Sequence, residues 1–159
     1  MQYLYQIALV THLAGITTMA GSTVAAYVFF NRFWRVQANG NTTTAIPILD
    51  ATLKLNKLFA IGILLLILSG VTMMYLTGGA YGEQVWFRIK FGLIVTVIMN
   101  GVLVGRRQGN KLTQTFGTLV PGVAPKYKLE KLKRGMTAFY LAQIVFFLLI
   151  YILSVFKFN

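Results

Sequence analysis

Long apolar segments alternate with shorter basic segments along the chain. Four of the apolar segments contain Asp, Glu, Lys or Arg only near one end or not at all. Each is long enough to cross a lipid bilayer as a helix, which takes about 20 mostly apolar residues. The pattern predicts an all-α polytopic membrane protein, an up-down four-helix bundle in one transmembrane domain over residues 1–159. The predicted transmembrane helices cover about residues 3–30, 57–77, 86–105 and 135–156, and the two longer connections cover residues 31–56 and 106–134.

The composition agrees with a membrane protein and argues against a nucleic-acid-binding one. Hydrophobic residues make up 57% of the 159 residues and charged residues only 11%, against about 25% charged residues in soluble domains. The net charge is +12, but the basic residues are concentrated between apolar segments and do not form a face on a polar surface. The predicted partner is therefore the anionic headgroups of a bilayer, not a nucleic acid. The chain has no cysteine, which excludes disulfides and thiolate metal sites, and no metal site is predicted.

Lys and Arg residues are distributed unequally between the two predicted sides of the membrane. Twelve lie in or beside the two longer connections, and three lie on the opposite side. Because cytoplasmic loops carry an excess of Lys and Arg, both connections are predicted to be cytoplasmic, with both termini outside, in a bacterial-type inner (plasma) membrane. The first apolar segment has neither a basic n-region nor a small-residue cleavage site, so it is predicted to remain as a helix. The twelve are Arg32, Arg35, Lys54, Lys57, Arg106, Arg107, Lys111, Lys126, Lys128, Lys131, Lys133 and Arg134, and the three are Arg88, Lys90 and Lys157.

The connections contain local structural signals. Asn39-Gly40 predicts a turn. Pro47 is predicted in the first turn of an amphipathic segment leading into the second helix, with Asp50 and Lys54 one helical turn apart. Glycines and prolines in the second connection predict irregular structure before an interfacial helix start at residues 126–134. The aromatic residues near the end of the first helix are predicted to lie at the membrane interface; they are Phe29, Phe30, Phe33 and Trp34.

His12 lies about ten residues into the first predicted span. A helix rises about 1.5 Å per residue, so this position is near the middle of the membrane. Polar groups within lipid are costly and usually face the bundle interior. Two interpretations remain open for this histidine. It either forms a hydrogen bond across helices or ligates haem or a metal, since neutral imidazole is a ready ligand. The residues that share its helix face are Gly15, Met19, Ser22 and Ala26.

Other polar residues also fall inside the predicted spans. Lys90 lies deeper in the third helix than Arg88, and its long stem reaches either outward or into the bundle, whereas Arg88 is predicted to extend to the outer headgroups. Gln143 is the predicted partner for another buried polar group. The side chains predicted to face the bundle interior are those of Ser22, Asn100, Tyr140 and Gln143.

Several kinds of chemistry are missing from the sequence. With a single histidine, one chain cannot build a bis-histidine haem site or a histidine-rich metal site. No carboxylate lies within a predicted span to relay protons or cations, so an ion-coupled transporter is not predicted. The chain also lacks a glycine-rich phosphate loop and a Ser-His-Asp set.

Three short motifs resemble those of a known superfamily. The first helix carries His12 and ends on Asn31-Arg32-Phe33-Trp34-Arg35, the second contains Leu68-Ser69-Gly70-Val71, and the third opens on Trp86-Phe87-Arg88-Ile89-Lys90. Over about residues 7–105, this layout resembles the small membrane bundles that include HemJ-type protoporphyrinogen oxidases, CopD-like domains and uncharacterised relatives.

The resemblance implies a cofactor and two site residues. In HemJ-type proteins the first-helix histidine and the third-helix lysine are tied to haem and activity. It therefore implies haem b, with His12 and Lys90 binding the cofactor and Lys90 also acting in catalysis. HemJ-type proteins carry further histidines where this chain has Asn31 and Asn100, and the second-helix motif lacks their proline. These departures favour an uncharacterised relative over the oxidase itself.

Three functions remain as hypotheses at this stage. The first is a small bundle that binds haem b and acts in membrane redox or porphyrin chemistry. The second is a non-catalytic membrane subunit, or a homo-oligomer assembled through its small-residue faces. The third is a small channel or carrier for an anion or a neutral solute, in which the basic connections attract the solute.

Overall fold

The computed structural model describes residues 2–40, 42–80, 82–117 and 126–156. It is helical along nearly all of this length, with no strand in those residues. The helices are α1 (Gln2–Ala38), α2 (Thr42–Leu76), α3 (Val85–Met99), a π-helical segment (Asn100–Gly105), α4 (Arg106–Gly117) and α5 (Lys126–Val155).

Within the described residues, four helices are long and apolar enough to cross a membrane, as the hydrophobic pattern predicts. Their apolar spans are Gln2–Ala38, Thr43–Leu76, Val85–Leu112 and Leu129–Val155. The third of these runs from α3 through the π-helical segment into α4. The prediction of an all-α protein with four long apolar helices is therefore confirmed.

The first connection is much shorter than residues 31–56, because α1 and α2 extend into it. α1 continues to Ala38, and α2 already begins at Thr42. Gly40 has a φ of 76°, a left-handed conformation that glycine adopts without strain, and it lies in the turn that Asn39-Gly40 predicts. Pro47 consequently lies inside α2 and not in its first turn. Lys54 and Asp50 form the expected ion pair one turn apart, at 2.8 Å on the exposed surface.

The second connection is also partly helical. The predicted irregular structure after residue 105 is instead the helix α4, which follows the π-helical segment directly. The helix start predicted at residues 126–134 belongs to α5, which begins at Lys126. The prolines Pro121 and Pro125 lie outside the described residues.

A tightly packed helix pair forms one side of the bundle. Gly15 of α1 faces Gly62 of α2, and an added Cβ on Gly15 would lie 2.9 Å from the Leu66 backbone nitrogen and 3.1 Å from the Gly62 carbonyl oxygen. Small residues allow two helix backbones to approach this closely, and such contacts are typical of helix pairs in membranes. α5 then packs against α1 and α3.

A layer of apolar side chains from four helices fills the middle of the bundle. We call this set the central layer. α1, α2, α3 and α5 each contribute to it, so these four helices surround a common axis. Its members are Ile16, Met19, Leu66, Ile94, Val97, Phe147 and Ile150.

One end of the bundle holds the larger buried core, and we call it the basic end because the two basic connections meet there. Some of the aromatic residues predicted at the membrane interface are buried in this core and others are not. Phe30 is 0% exposed, whereas Phe29 is 39% exposed. The ring of Trp34 packs edge-on against Phe30 and Phe33, and the Lys133 ammonium lies 5.9 Å from its centroid. The buried members of this core are Ala26, Phe30, Phe33, Trp34, Ala45, Leu49, Leu112, Leu132, Met136 and Tyr140.

The opposite end, which we call the terminal end, holds the start of α1, the end of α5 and the turn after α2. That turn contains Gly78 and Gly79, both with positive φ, and the Gly79 N–H donates to the Met74 carbonyl to close the last turn of α2. Large apolar side chains are exposed here, including Tyr75 and Val155.

Candidate functional site

His12 lies between the central layer and the terminal end, with its ring against α2. Its Nδ1 is 3.0 Å from the Ser69 hydroxyl oxygen. A Cβ added to Gly70 would lie 3.6 Å from the imidazole Cε1, so the ring rests on the glycine at ordinary contact distance. The histidine is half-buried. The motif Leu68-Ser69-Gly70-Val71 is therefore the surface of α2 that receives the His12 ring.

The hydroxyl of Ser69 also contacts the backbone of its own helix. It donates to the Leu65 carbonyl at 2.6 Å and approaches the Leu66 carbonyl at 3.2 Å. Sequence reasoning did not identify Ser69 as the partner of His12. A serine beside a glycine in an otherwise apolar span was the available signal, because a hydroxyl and a missing side chain together accommodate a polar ring.

Lys90 lies at the same end of the bundle as His12. It is half-buried on α3, and its charge acts on the His12 imidazole. The family resemblance implies these two residues for a cofactor site, which stays a prediction. Arg88 has another role, since its Nε donates to the Gly82 carbonyl at 3.1 Å and so ties α3 to the preceding turn.

A second polar group lies on the other side of the central layer. The Asn100 side-chain amide donates to the Gln143 side-chain oxygen at 2.8 Å, and the Gln143 amide donates to the Val97 carbonyl at 3.0 Å. Gln143 is only 1% exposed. These bonds join α5 to the point where α3 becomes π-helical. Buried amides need such partners, because an unsatisfied polar group in an apolar environment is costly.

The π-helical segment also receives two aromatic rings. A Cβ on Gly101 would lie 2.7 Å from a ring carbon of Phe59, and one on Gly105 would lie 3.1 Å from a ring carbon of Phe139. These glycines therefore make room for side chains of α2 and α5. Their one-turn spacing serves packing within this chain.

Tyr140 and Ser22 are buried but do not join either polar group. The Tyr140 ring packs against Phe30 and Tyr27 in the basic-end core. The Ser22 hydroxyl donates to the Met19 carbonyl of its own helix, as the neighbouring Thr23 hydroxyl does. Serine and threonine commonly make this bond within helices, so neither hydroxyl contributes a cross-helix contact here.

The described residues contain no group of three or more His, Asp or Glu side chains that could hold a metal ion. The candidate site is the group of residues around the histidine at the terminal end, formed by His12, Ser69, Gly70 and Lys90. Comparisons of the chain with protein families, with curated proteins and with solved structures gave no match.

Proposed function

We propose that this protein spans a lipid bilayer and binds haem b through His12 at the terminal end of its bundle, with a role in membrane redox or porphyrin chemistry. The observation that carries the proposal is the contact of the His12 ring with α2. Its Nδ1 contacts α2 through the Ser69 hydroxyl, which leaves Nε2 as the ring nitrogen that would face a ligand. Histidine ligands of metals are commonly held in this way, with one nitrogen hydrogen-bonded and the other available to the metal.

Lys90 supports a porphyrin as the ligand. Porphyrins of the haem b type carry carboxylate side chains, and an ammonium group is a natural partner for a carboxylate in an apolar setting. Lys90 and His12 lie on different helices at the same end of the bundle, where one ligand could contact both residues. Lys90 would bind or orient the carboxylates, and His12 would provide a nitrogen ligand to the iron.

The packing around His12 differs from that of the central layer. The central layer is filled by side chains from four helices, and α1 and α2 touch backbone to backbone at Gly15 and Gly62. A macrocycle therefore has no room in the middle of the described bundle. The terminal end has fewer buried side chains, and the His12 ring there is only half-buried. Haem bound there would supply one-electron redox chemistry.

The filled central layer also favours this function over a channel. Its residues are apolar, and the space they enclose is only about 10 Å³, about the room that a single water molecule needs. A pore needs polar or wide constrictions that an ion or solute can enter.

Absorbance spectroscopy tests the haem proposal. Protein expressed with ample haem and purified in detergent should show a Soret band, and His12→Ala should lose it. Thr11→Val is the matched control, because the Thr11 hydroxyl bonds to the Ile7 carbonyl of its own helix; this variant should keep the band. A wild-type protein without Soret absorbance, or a band unchanged in His12→Ala, would overturn the proposal.

We infer that the basic end faces the cytoplasm. Residues from both basic connections meet in one core, with Phe33 and Leu49 from the first and Leu112 and Leu132 from the second. The excess of Lys and Arg therefore lies at one end of the bundle, as the positive-inside rule requires of a cytoplasmic face.

The absence of native cysteines makes this orientation simple to test. Asn110→Cys on α4 and Glu83→Cys before α3 are both at exposed positions. In intact cells, an impermeant thiol reagent should label the cysteine at 83 and leave the one at 110 unlabelled until the cells are opened. The reverse pattern would show the opposite orientation.

A further inference from the structure

We infer that Ser69 is a positioning residue that determines which ring nitrogen of His12 carries the proton. Neutral imidazole has one N–H and one nitrogen lone pair, so the partner of one nitrogen decides the state of both. The partner of Nδ1 is the Ser69 oxygen, at 3.0 Å.

The hydroxyl group of Ser69 donates its proton to a hydrogen bond with a backbone carbonyl of its own helix. A hydroxyl has one proton and two lone pairs, and at 2.6 Å the Leu65 carbonyl is the nearest acceptor. The Leu66 carbonyl, at 3.2 Å, is a second acceptor on the same side. Because both are carbonyls, they can only accept. The Ser69 oxygen therefore presents a lone pair to His12.

Nδ1 of His12 must then be the donor. An unprotonated Nδ1 would place two lone pairs against each other at hydrogen-bonding distance, which is repulsive. In the neutral side chain Nδ1 carries the hydrogen, and the lone pair lies on Nε2.

This assignment deepens the proposed function, and only its consequence for haem depends on that function. A histidine that ligates iron through Nε2 needs the tautomer with the proton on Nδ1, held by an acceptor behind it. Ser69 would prepare that tautomer before any ligand arrives. The tautomer itself is a property of this chain and is measurable without haem.

The single histidine makes the measurement direct, because a protein labelled with ¹⁵N-histidine has one pair of ring nitrogen signals. The spectrum is recorded in detergent micelles at a pH where His12 is neutral. The two-bond couplings between the ring nitrogens and the ring hydrogens then distinguish Nδ1 from Nε2. The expected spectrum shows a protonated Nδ1 and an unprotonated Nε2. Protonated Nε2 in the wild-type protein would overturn the inference.

Ser69→Ala should change this spectrum toward a mixture of tautomers with a substantial share of protonated Nε2. Ser69→Thr should restore the wild-type pattern, since threonine offers the same hydroxyl to the same carbonyl. Thr72→Val is the matched control on α2, because the Thr72 hydroxyl is exposed and bonds to its own helix. A spectrum unchanged in Ser69→Ala would show that Ser69 does not set the tautomer.

The haem experiment and the tautomer experiment fail independently. If the wild-type protein has the protonated Nδ1 but no Soret band, the proposed function is lost and the role of Ser69 stands. If the Soret band depends on His12 while the tautomer does not respond to Ser69→Ala, the positioning role is lost and the haem site stands.

Discussion

The two ends of the bundle are built from different interactions. At the basic end, bulky side chains from α1, α2, α4 and α5 bury one another, and Phe30 and Phe33 are 0% and 1% exposed. At the terminal end, Tyr75 is 84% exposed, and the contacts of His12 with α2 are made to a hydroxyl and a glycine. The chain thus concentrates its packing at one end and its candidate chemistry at the other.

This difference has a physical reason. A polar side chain needs room for a hydrogen-bond partner or a ligand, and dense aromatic packing excludes both. Dense packing at the basic end and the backbone contact at Gly15 and Gly62 instead fix the relative positions of α1 and α2. A rigid frame can then hold a few polar groups in place where packing is looser.

The largest loss of stability is expected from a larger side chain at the close contact between α1 and α2, which lies between the two ends of the bundle. Gly15→Val should destabilise the protein by about 3 kcal/mol, the upper end of the usual cost of overpacking, because its Cβ would meet backbone atoms of α2 that cannot move aside. Thermal unfolding in detergent, followed by tryptophan fluorescence, measures the effect.

Gly21→Val is the matched control for this variant. It lies on the same helix, and a Cβ there meets nothing within 4 Å. If the two variants unfold at the same temperature, the close contact between α1 and α2 does not contribute to the stability of the protein.

A smaller loss is expected from opening the basic-end core. Phe30→Ala should cost about 2–3 kcal/mol, somewhat below the range for such truncations in soluble proteins, because lipid or detergent reduces the transfer contribution. Phe29→Ala provides the comparison on the same helix, since its ring is exposed, and it should change the unfolding midpoint little. Equal losses would contradict the assignment of the core to the buried face of α1.

The smallest effect is expected at the polar group beside the central layer. Gln143→Leu leaves the Asn100 amide and the Val97 carbonyl without their partner, and should cost about 1 kcal/mol, as hydrogen bonds between membrane helices commonly do. Thr96→Val, whose hydroxyl bonds only within α3, should cost less. A double-mutant cycle with Asn100→Leu should give a coupling energy smaller than the Gln143→Leu loss, because the bond to Val97 is lost in both backgrounds. Additive losses would show that the two amides do not interact.

Much of the fold was predictable because its signals are local. The apolar segments predict four long helices, and Asn39-Gly40 predicts the turn between α1 and α2. The helix ends were less predictable. α1 reaches Ala38 because Phe33 and Trp34 pack against α2 and α5, and α4 forms where Leu112 is buried in the same core. Those contacts depend on residues far away in the chain.

The candidate site was predictable in its residue types and not in its pairing. His12, Lys90, Asn100 and Gln143 are conspicuous as polar residues in apolar segments. Their partners depend on the rotation of each helix about its axis and on the register between helices. Ser69 is the clearest case, because its relation to His12 is set only when α1 lies against α2.

By itself, the sequence determined the helical class, the four long apolar helices and the separation of basic connections from apolar spans, because hydrophobicity and turn signals act over a few neighbouring residues. Only the tertiary structure decided that His12 contacts Ser69 and Gly70, that Asn100 pairs with Gln143, and that the aromatic residues at the end of α1 form a core. The physical reason is that these contacts join residues far apart in the chain; the two hydrogen bonds, for example, join residues 57 and 43 positions apart. Close approach of the helix backbones at Gly15 and Gly62 sets the register for the first of them.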